Sequence, residues 1–173
     1  GKTYLSIGML DEAAPHTTAA LELVRRVHGE ESLDYGKRLG DRANLERLRG
    51  DDAAAAASYG RAFAIVEKIA GADHPTALQL KGDYANTLVR LKRESEAEPL
   101  LREVLAAVRR ITGRESRETV VLLNSLAVLL QRLGRIDEAE TLYRESVKTG
   151  EELLGEDEPD TLISRMNLVN LLK

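Results

Sequence analysis

A glycine returns every 42 residues along this chain, at Gly29, Gly71, Gly113 and Gly155. Its surroundings return with it. Gly71-Ala-Asp-His-Pro75 corresponds to Gly155-Glu-Asp-Glu-Pro159, and Gly29-Glu-Glu-Ser-Leu33 and Gly113-Arg-Glu-Ser-Arg117 fill the same slot. Upstream, Ile7-Gly8-Met9-Leu10-Asp11-Glu12-Ala13 reappears as Leu133-Gly134-Arg135-Ile136-Asp137-Glu138-Ala139. Self-similarity at a fixed period of roughly 20–50 residues is the mark of a stacked array, because one unit cannot bury its apolar face alone. The 173 residues form a single array. It divides into a partial unit at 1–28, full units at 29–70, 71–112 and 113–154, and a partial unit or capping helix at 155–173.

Each unit reads as a pair of helices. In the clearest copy, Val120, Leu123, Leu126, Ala127 and Leu130 recur at spacings of three and four, the pattern of one buried helix face. Gly134 ends this first helix, and Asp137 with Glu140 has the spacing of a capping box that starts the second. Ser95 with Glu98 has the same spacing one repeat earlier. Ala139, Tyr143, Ser146 and Val147 line one side of the second helix, which Gly155 stops. Pro75 and Pro159 stand where a new helix begins, a position that needs no N–H; Pro15 and Pro99 fall in the first turns of second helices. The predicted helices span 11–27, 32–48, 52–69, 75–91, 95–111, 117–132, 137–153 and 159–172, and residues 1–10 align with the end of a first helix. The copies differ: Lys92 replaces the glycine after the first helix, and Arg42, Glu46 and Arg47 interrupt the apolar face of 32–48, where Leu45 and Leu48 are expected to take over.

These residues resemble the tetratricopeptide repeats. Leu123, Leu126-Ala127, Leu130, Ala139 and Tyr143 match that family's pattern, and Ala97 with Leu101 and Ala55 with Tyr59 repeat its last pair. The 42-residue period and the Gly-x-Asp-His-Pro linker are similar to the long-helix variety of kinesin light chain and of many bacterial proteins, which implies a bacterial source. The resemblance covers essentially the whole chain. It implies an all-α, right-handed α-solenoid of helical hairpins whose first helices line a concave face and whose second helices form the outside.

Composition narrows function further. Net charge is −4 and no repeat carries more than two net charges of either sign, so nothing resembles the basic stripe of a nucleic-acid binder. No apolar run reaches the ~18 residues of a membrane span, and no signal peptide opens the chain. The absence of cysteine removes disulfide and thiol chemistry, and the cytoplasm is the expected location. Gly1-Lys2-Thr3 lacks the upstream glycine and strand of a phosphate loop. His16, His28 and His74 are scattered, without metal-ligand spacing, and His74 belongs to the linker, where a hydrogen-bonding role in the turn is expected. Glu94, Glu96 and Glu98 sit at a helix start as a solvated, dipole-favoured cluster. No nucleophile is matched with a base. The sequence therefore reads as a non-enzymatic chain with no catalytic residue, metal site or cofactor.

What remains is polar residues at equivalent places on first helices. Asn44 and Asn86 are one period apart, and Asn170 lies two periods beyond Asn86. Asn124, with Ser125, and Asn167 fall near the Asn-Asn pair of kinesin-light-chain-like repeats. Asparagine both donates and accepts, so such a ladder can hold an extended peptide backbone; the same residues can equally bond to neighbouring helices and stabilise the stack. Arg90 and Arg132 are equivalent, one turn further along, and either pair with ligand carboxylates or are simply solvated; Asp41 and Asp83 on the same face keep it from being purely basic. The expected function is a protein-interaction module that takes a peptide or helix of a partner in its groove. Two alternatives fit: a regulatory or sensor segment of a larger kinase- or protease-linked signalling protein, and a self-assembly module that associates end to end.

Overall fold

The computed structural model describes the backbone of residues 2–112 and 116–173, with side chains from Glu12 onward. Gly113 of the linker series and the side chains of Tyr4, Leu5 and Ile7 lie outside the described residues. Among the described residues the secondary structure is helical throughout. The helices are α1 (Lys2–His28), α2 (Leu33–Leu48), α3 (Asp52–Ala70), α4 (Pro75–Arg90), α5 (Glu94–Thr112), α6 (Arg117–Arg132), α7 (Ile136–Leu153) and α8 (Pro159–Leu171). From α2 onward every boundary falls within one residue of the span that the periodicity predicts. The start of the chain differs. Residues 2–28 form one continuous helix, so the break expected near Gly8 is absent and Pro15 lies in a helix interior rather than a first turn. Continuing the helix satisfies backbone groups that a turn would leave to water, and this outweighs the ~1 kcal/mol penalty of an interior glycine.

The turns repeat as the helices do. Gly29, Gly71 and Gly155 all have positive φ, as does the second series, Gly50, Lys92 and Gly134. The linker residue one slot before α2, α4 and α6 caps each of these first helices, whereas Glu158 in the same slot before α8 makes no side-chain cap bond. Ser32 Oγ accepts from the Tyr35 N–H at 3.2 Å, His74 Nδ1 from the Thr76 N–H at 3.2 Å, and Ser116 Oγ from the Thr119 N–H at 3.1 Å. Pro75 and Pro159 follow as first helical residues, as expected. The capping boxes expected at Asp137 and Ser95 do not form. Helix α7 starts one residue before Asp137, with Arg135 at its cap, and α5 already starts at Glu94. Both starts use an arginine fork instead: Arg93 and Arg135, one period apart, each donate two hydrogen bonds to the glutamate three residues on, Glu96 and Glu138, at 2.6–2.7 Å.

The helices gather into two compact units, residues 1–92 and 93–173. In the first, α2 and α3 form a hairpin, α1 packs on α2, and α4 packs on α3. Leu39, Ala43, Ala55, Tyr59, Ala62 and Val66 centre its core. The helices meet closely enough that a Cβ at Gly36 would lie 2.7 Å from Val66 Cγ2. On α2, Leu45 is buried as expected but Leu48 is 57% exposed, so the compensating rotation is only half realised. Arg42 instead turns to α3, donating from Nη2 to Ser58 Oγ at 3.0 Å.

In the second unit, α6 and α7 form the hairpin, α5 packs on α6, and α8 rests on α7 and α6. Val120, Leu123, Leu126, Ala127 and Leu130 are buried, together with Ala139 and Tyr143, as the helical spacing predicts. The seam between α7 and α8 is of another kind. Its buried residues are Ser146, Gly150, Thr161 and Ser164. Ser146 Oγ donates to the Val120 carbonyl at 2.9 Å and lies 2.8 Å from Ser164 Oγ, while buried Thr161 Oγ1 has no hydrogen-bond partner.

Candidate functional site

The first helices carry the asparagines, Ser125 and the two arginines expected to line a groove, and each unit presents its own. In the first unit an open depression of about 280 Å³ lies between α2 and α4. Asp41 and Asn44 line it from α2, and Gln79 and Asp83 from α4. Helical spacing explains the grouping, because Asp41/Asp83 and Lys37/Gln79 are pairs one period apart, on the same side of successive first helices. Of the asparagines expected there, Asn44 lines the depression; Asn86 is half-buried on α4 outside its lining.

Asn44 is already engaged. Its Oδ1 accepts from the Tyr59 hydroxyl at 2.7 Å and from Arg47 Nη2 at 3.4 Å, tying α2 to α3. Asp83 is half-buried, and burial pushes its carboxyl above the ordinary range against the opposing pull of Arg47. Burial likewise raises the Tyr59 phenol. Sequence reasoning takes Asp41 and Asp83 only as dilution of a basic groove and passes over Lys37 and Gln79. The 42-residue register is the signal that finds them.

In the second unit Asn167 Nδ2 donates to Asn124 Oδ1 at 2.9 Å, joining α8 to α6. The two lie 43 residues apart, one beyond the period, because the touching side chains of stacked helices are offset along their axes. Ser125 is half-buried beside this pair and Asn170 is exposed. Apolar side chains flank the pair: Val121 on α6 is 41% exposed, and Ile163 and Met166 on α8 are 49% and 64% exposed. The slots that hold Lys37 and Gln79 in the first unit thus hold Val121 and Ile163 here, so the two faces differ in chemistry.

Both candidate arginines have acidic partners within the chain. Arg90 Nε donates to Asp52 Oδ1 at 2.8 Å, and Arg132 Nη1 lies 3.9 Å from Glu94 Oε1. Asp52 and Glu94 are themselves one period apart, so the end of a first helix pairs with the start of the preceding second helix in each unit. A ligand carboxylate would have to compete with these acids. The glutamates expected to form a solvated cluster are paired too, Glu96 with Arg93, and Glu98 with Arg102 and Arg135. Burial pushes Glu98 up, but hydrogen bonds from Arg102 and Arg135 outweigh it and hold the carboxyl below its usual range. Tyr143, whose hydroxyl donates to Gln131 Oε1 at 3.1 Å, is pushed up to about 12 by burial. Among the described residues no cluster of side chains could hold a metal ion, and no helix is long and apolar enough to cross a membrane.

Two family models described as tetratricopeptide repeat match the chain, one over residues 39–110 and one over 119–160. Among curated proteins, none matches. Solved structures do. BtubC (BKLC) from P. vanneervenii has a TM-score of 0.86 at 20% identity over 96% of this chain, which spans 66% of that protein. A putative kinesin light chain of Podosopora anserina with nearly identical TPR-like repeats has a TM-score of 0.82 at 20% identity, covering 98% of this chain and 81% of that one. A substituted form of the same protein gives 0.83 at 20% identity, with 98% and 80% covered. At that identity the likeness speaks for the fold alone, an all-α solenoid. Repeats of this kind serve as protein–protein interaction scaffolds rather than as catalysts. With the period, the hairpins and both repeat matches in agreement, the chain belongs to the tetratricopeptide-repeat family.

Proposed function

We propose that the chain is a non-enzymatic interaction module whose first-helix faces take a peptide or helix from a partner protein. The observation that carries this reading is Asp83 at the α2–α4 depression. A half-buried carboxylate short of solvent is a site where a ligand N–H or ammonium group replaces missing hydration. In the second unit, Val121, Ile163 and Met166 around the Asn124–Asn167 pair offer apolar contact beside groups able to bond a peptide backbone. Pairing of Arg90 and Arg132 with acids supports a partner that is protein rather than nucleic acid.

Peptides selected on the chain from a random display library test the reading. Amide shifts caused by the selected peptides are expected on α2 and α4, or on α6 and α8. Asp83→Ala with Asn86→Ala, or Asn124→Ala, is expected to weaken binding about 5–20-fold with helical circular dichroism intact, as for one or two lost hydrogen bonds. Shifts confined to α3, α5 and α7, with unchanged affinity in these variants, would place recognition on the second helices and sink the proposal.

A further inference from the structure

The depression between α2 and α4 has an apolar floor and a polar rim. Both helices are interior to the chain, with α1 before them and α5 after. Gly40 and Leu80 form the floor, and both are buried. A Cβ at Gly40 would lie 2.6 Å from Leu80 Cδ2, so the glycine lets α4 lay a leucine directly against α2. The volume, about 280 Å³, is at the small end for a ligand cleft and suits one long side chain rather than a folded element.

On the rim, half-buried Asp83 is the carboxylate left over. Among the described residues its side-chain oxygens have neither a hydrogen bond nor an ion pair; Thr87 Oγ1 donates only to its backbone carbonyl. Asp41, one period earlier, already accepts from Arg38 Nη1 at 2.8 Å. Arg47, the cation whose pull Asp83 feels, is held by Asn44 Oδ1 at 3.4 Å. Lys37 stands at the level of Gln79, four residues and so about 6 Å along the helix axis from Asp83. The depression therefore lacks a cation at one end and aliphatic matter over its floor. Lysine and arginine supply both, since each carries a charged head on an apolar stem.

We infer that the α2–α4 depression takes a lysine or arginine side chain of a partner polypeptide, its methylene stem over Gly40 and Leu80 and its charged head donating to the Asp83 carboxylate. This rests on the proposed reading that first-helix faces bind a partner segment, and adds the chemistry by which the first unit selects one. The slot of Asp83 holds Ser125 on α6 and Asn167 on α8, so the preference for a cation belongs to the first unit.

Peptides selected on the 173-residue chain from a random display library are the probe. Those that shift α2 and α4 amides are expected to share a lysine or arginine at one position. Replacing that residue by norleucine keeps the stem and removes the charge. Binding is then expected to weaken about 10-fold or more, as for a lost hydrogen bond between charged groups. On Asp83→Asn the charged and norleucine peptides are expected to bind within about two-fold of each other, because the charge has lost its partner. Three outcomes overturn the inference and leave the groove reading standing: α2–α4 binders with no shared basic residue, norleucine peptides that bind the parent as well as the charged ones, or a norleucine loss undiminished in Asp83→Asn. Selected peptides that shift neither α2 nor α4 overturn the inference together with the groove reading for the first unit. The norleucine comparison uses the unaltered chain, so a poorly folded Asp83→Asn variant does not shield the inference.

Discussion

Lys92 is the residue at which the repeat departs most from its own rule. It has φ of 59°, in a slot where the other copies place Gly50 and Gly134 at 83° and 75°. A side chain in the left-handed region crowds the following carbonyl, which costs roughly 1–2 kcal/mol. The protein bears this because the turn is fixed from both ends: Leu91 N–H bonds to the Thr87 carbonyl and Lys92 N–H to that of Val89. Lys92→Gly is therefore expected to stabilise the chain, by about 1 kcal/mol after the entropy that glycine adds to the unfolded state. Thermal or urea unfolding measures it, and a variant no more stable than the parent would show that Lys92 compensates through contacts of its own. The substitution was legible in the sequence because the period named the slot. The side-chain pairings were not. Asn124 and Asn167 meet across 43 residues rather than 42, whereas counting by the period aligns Asn124 with Met166 and Asn167 with Ser125.

The hairpin is the element that the sequence specifies most fully, and one buried alanine recurs in it at the period. Ala55, Ala97 and Ala139 occupy one slot and are all fully buried. Ala139→Leu adds bulk where α6 and α7 already pack without space, and is expected to cost ~1–3 kcal/mol by overpacking. Denaturant unfolding monitored by circular dichroism checks this, and unchanged stability would mean that the helices do not meet there. The ends of elements were harder to read. Helix α7 starts ahead of the best capping residue, Asp137, because the Arg135 fork onto Glu138 fixes that start from the side chain instead. Helix α1 runs on where the pattern breaks, because periodicity tells which residues share a face and not whether a turn interrupts them.

Over the whole molecule, charge is organised as pairs that recur with the fold rather than as a field. Glu22 and Glu31 in the first unit, and Glu96, Glu98 and Glu138 in the second, are held below the ordinary carboxyl range by arginine or lysine partners. Carboxyls lowered in the folded state add stability above their unfolded pKa of about 4.3, and that stability is lost as pH falls through the lower folded values. Melting temperature is thus expected to hold from neutral pH to about 5 and to drop below about 4, more shallowly in high salt. A melting temperature that stays level down to about pH 3 would contradict the pairing. The same view gives meaning to the seam between α7 and α8, where serines, a glycine and the unbonded Thr161 hydroxyl stand in place of leucines. Surfaces joined by a few short hydrogen bonds resist a small displacement stiffly and then give way all at once, whereas greasy ones yield gradually. Pulled from the side of α8, the chain should therefore tear first at this seam, leaving the α6–α7 hairpin whole, so the order in which it comes apart under load is written into which seam is wet and which is dry.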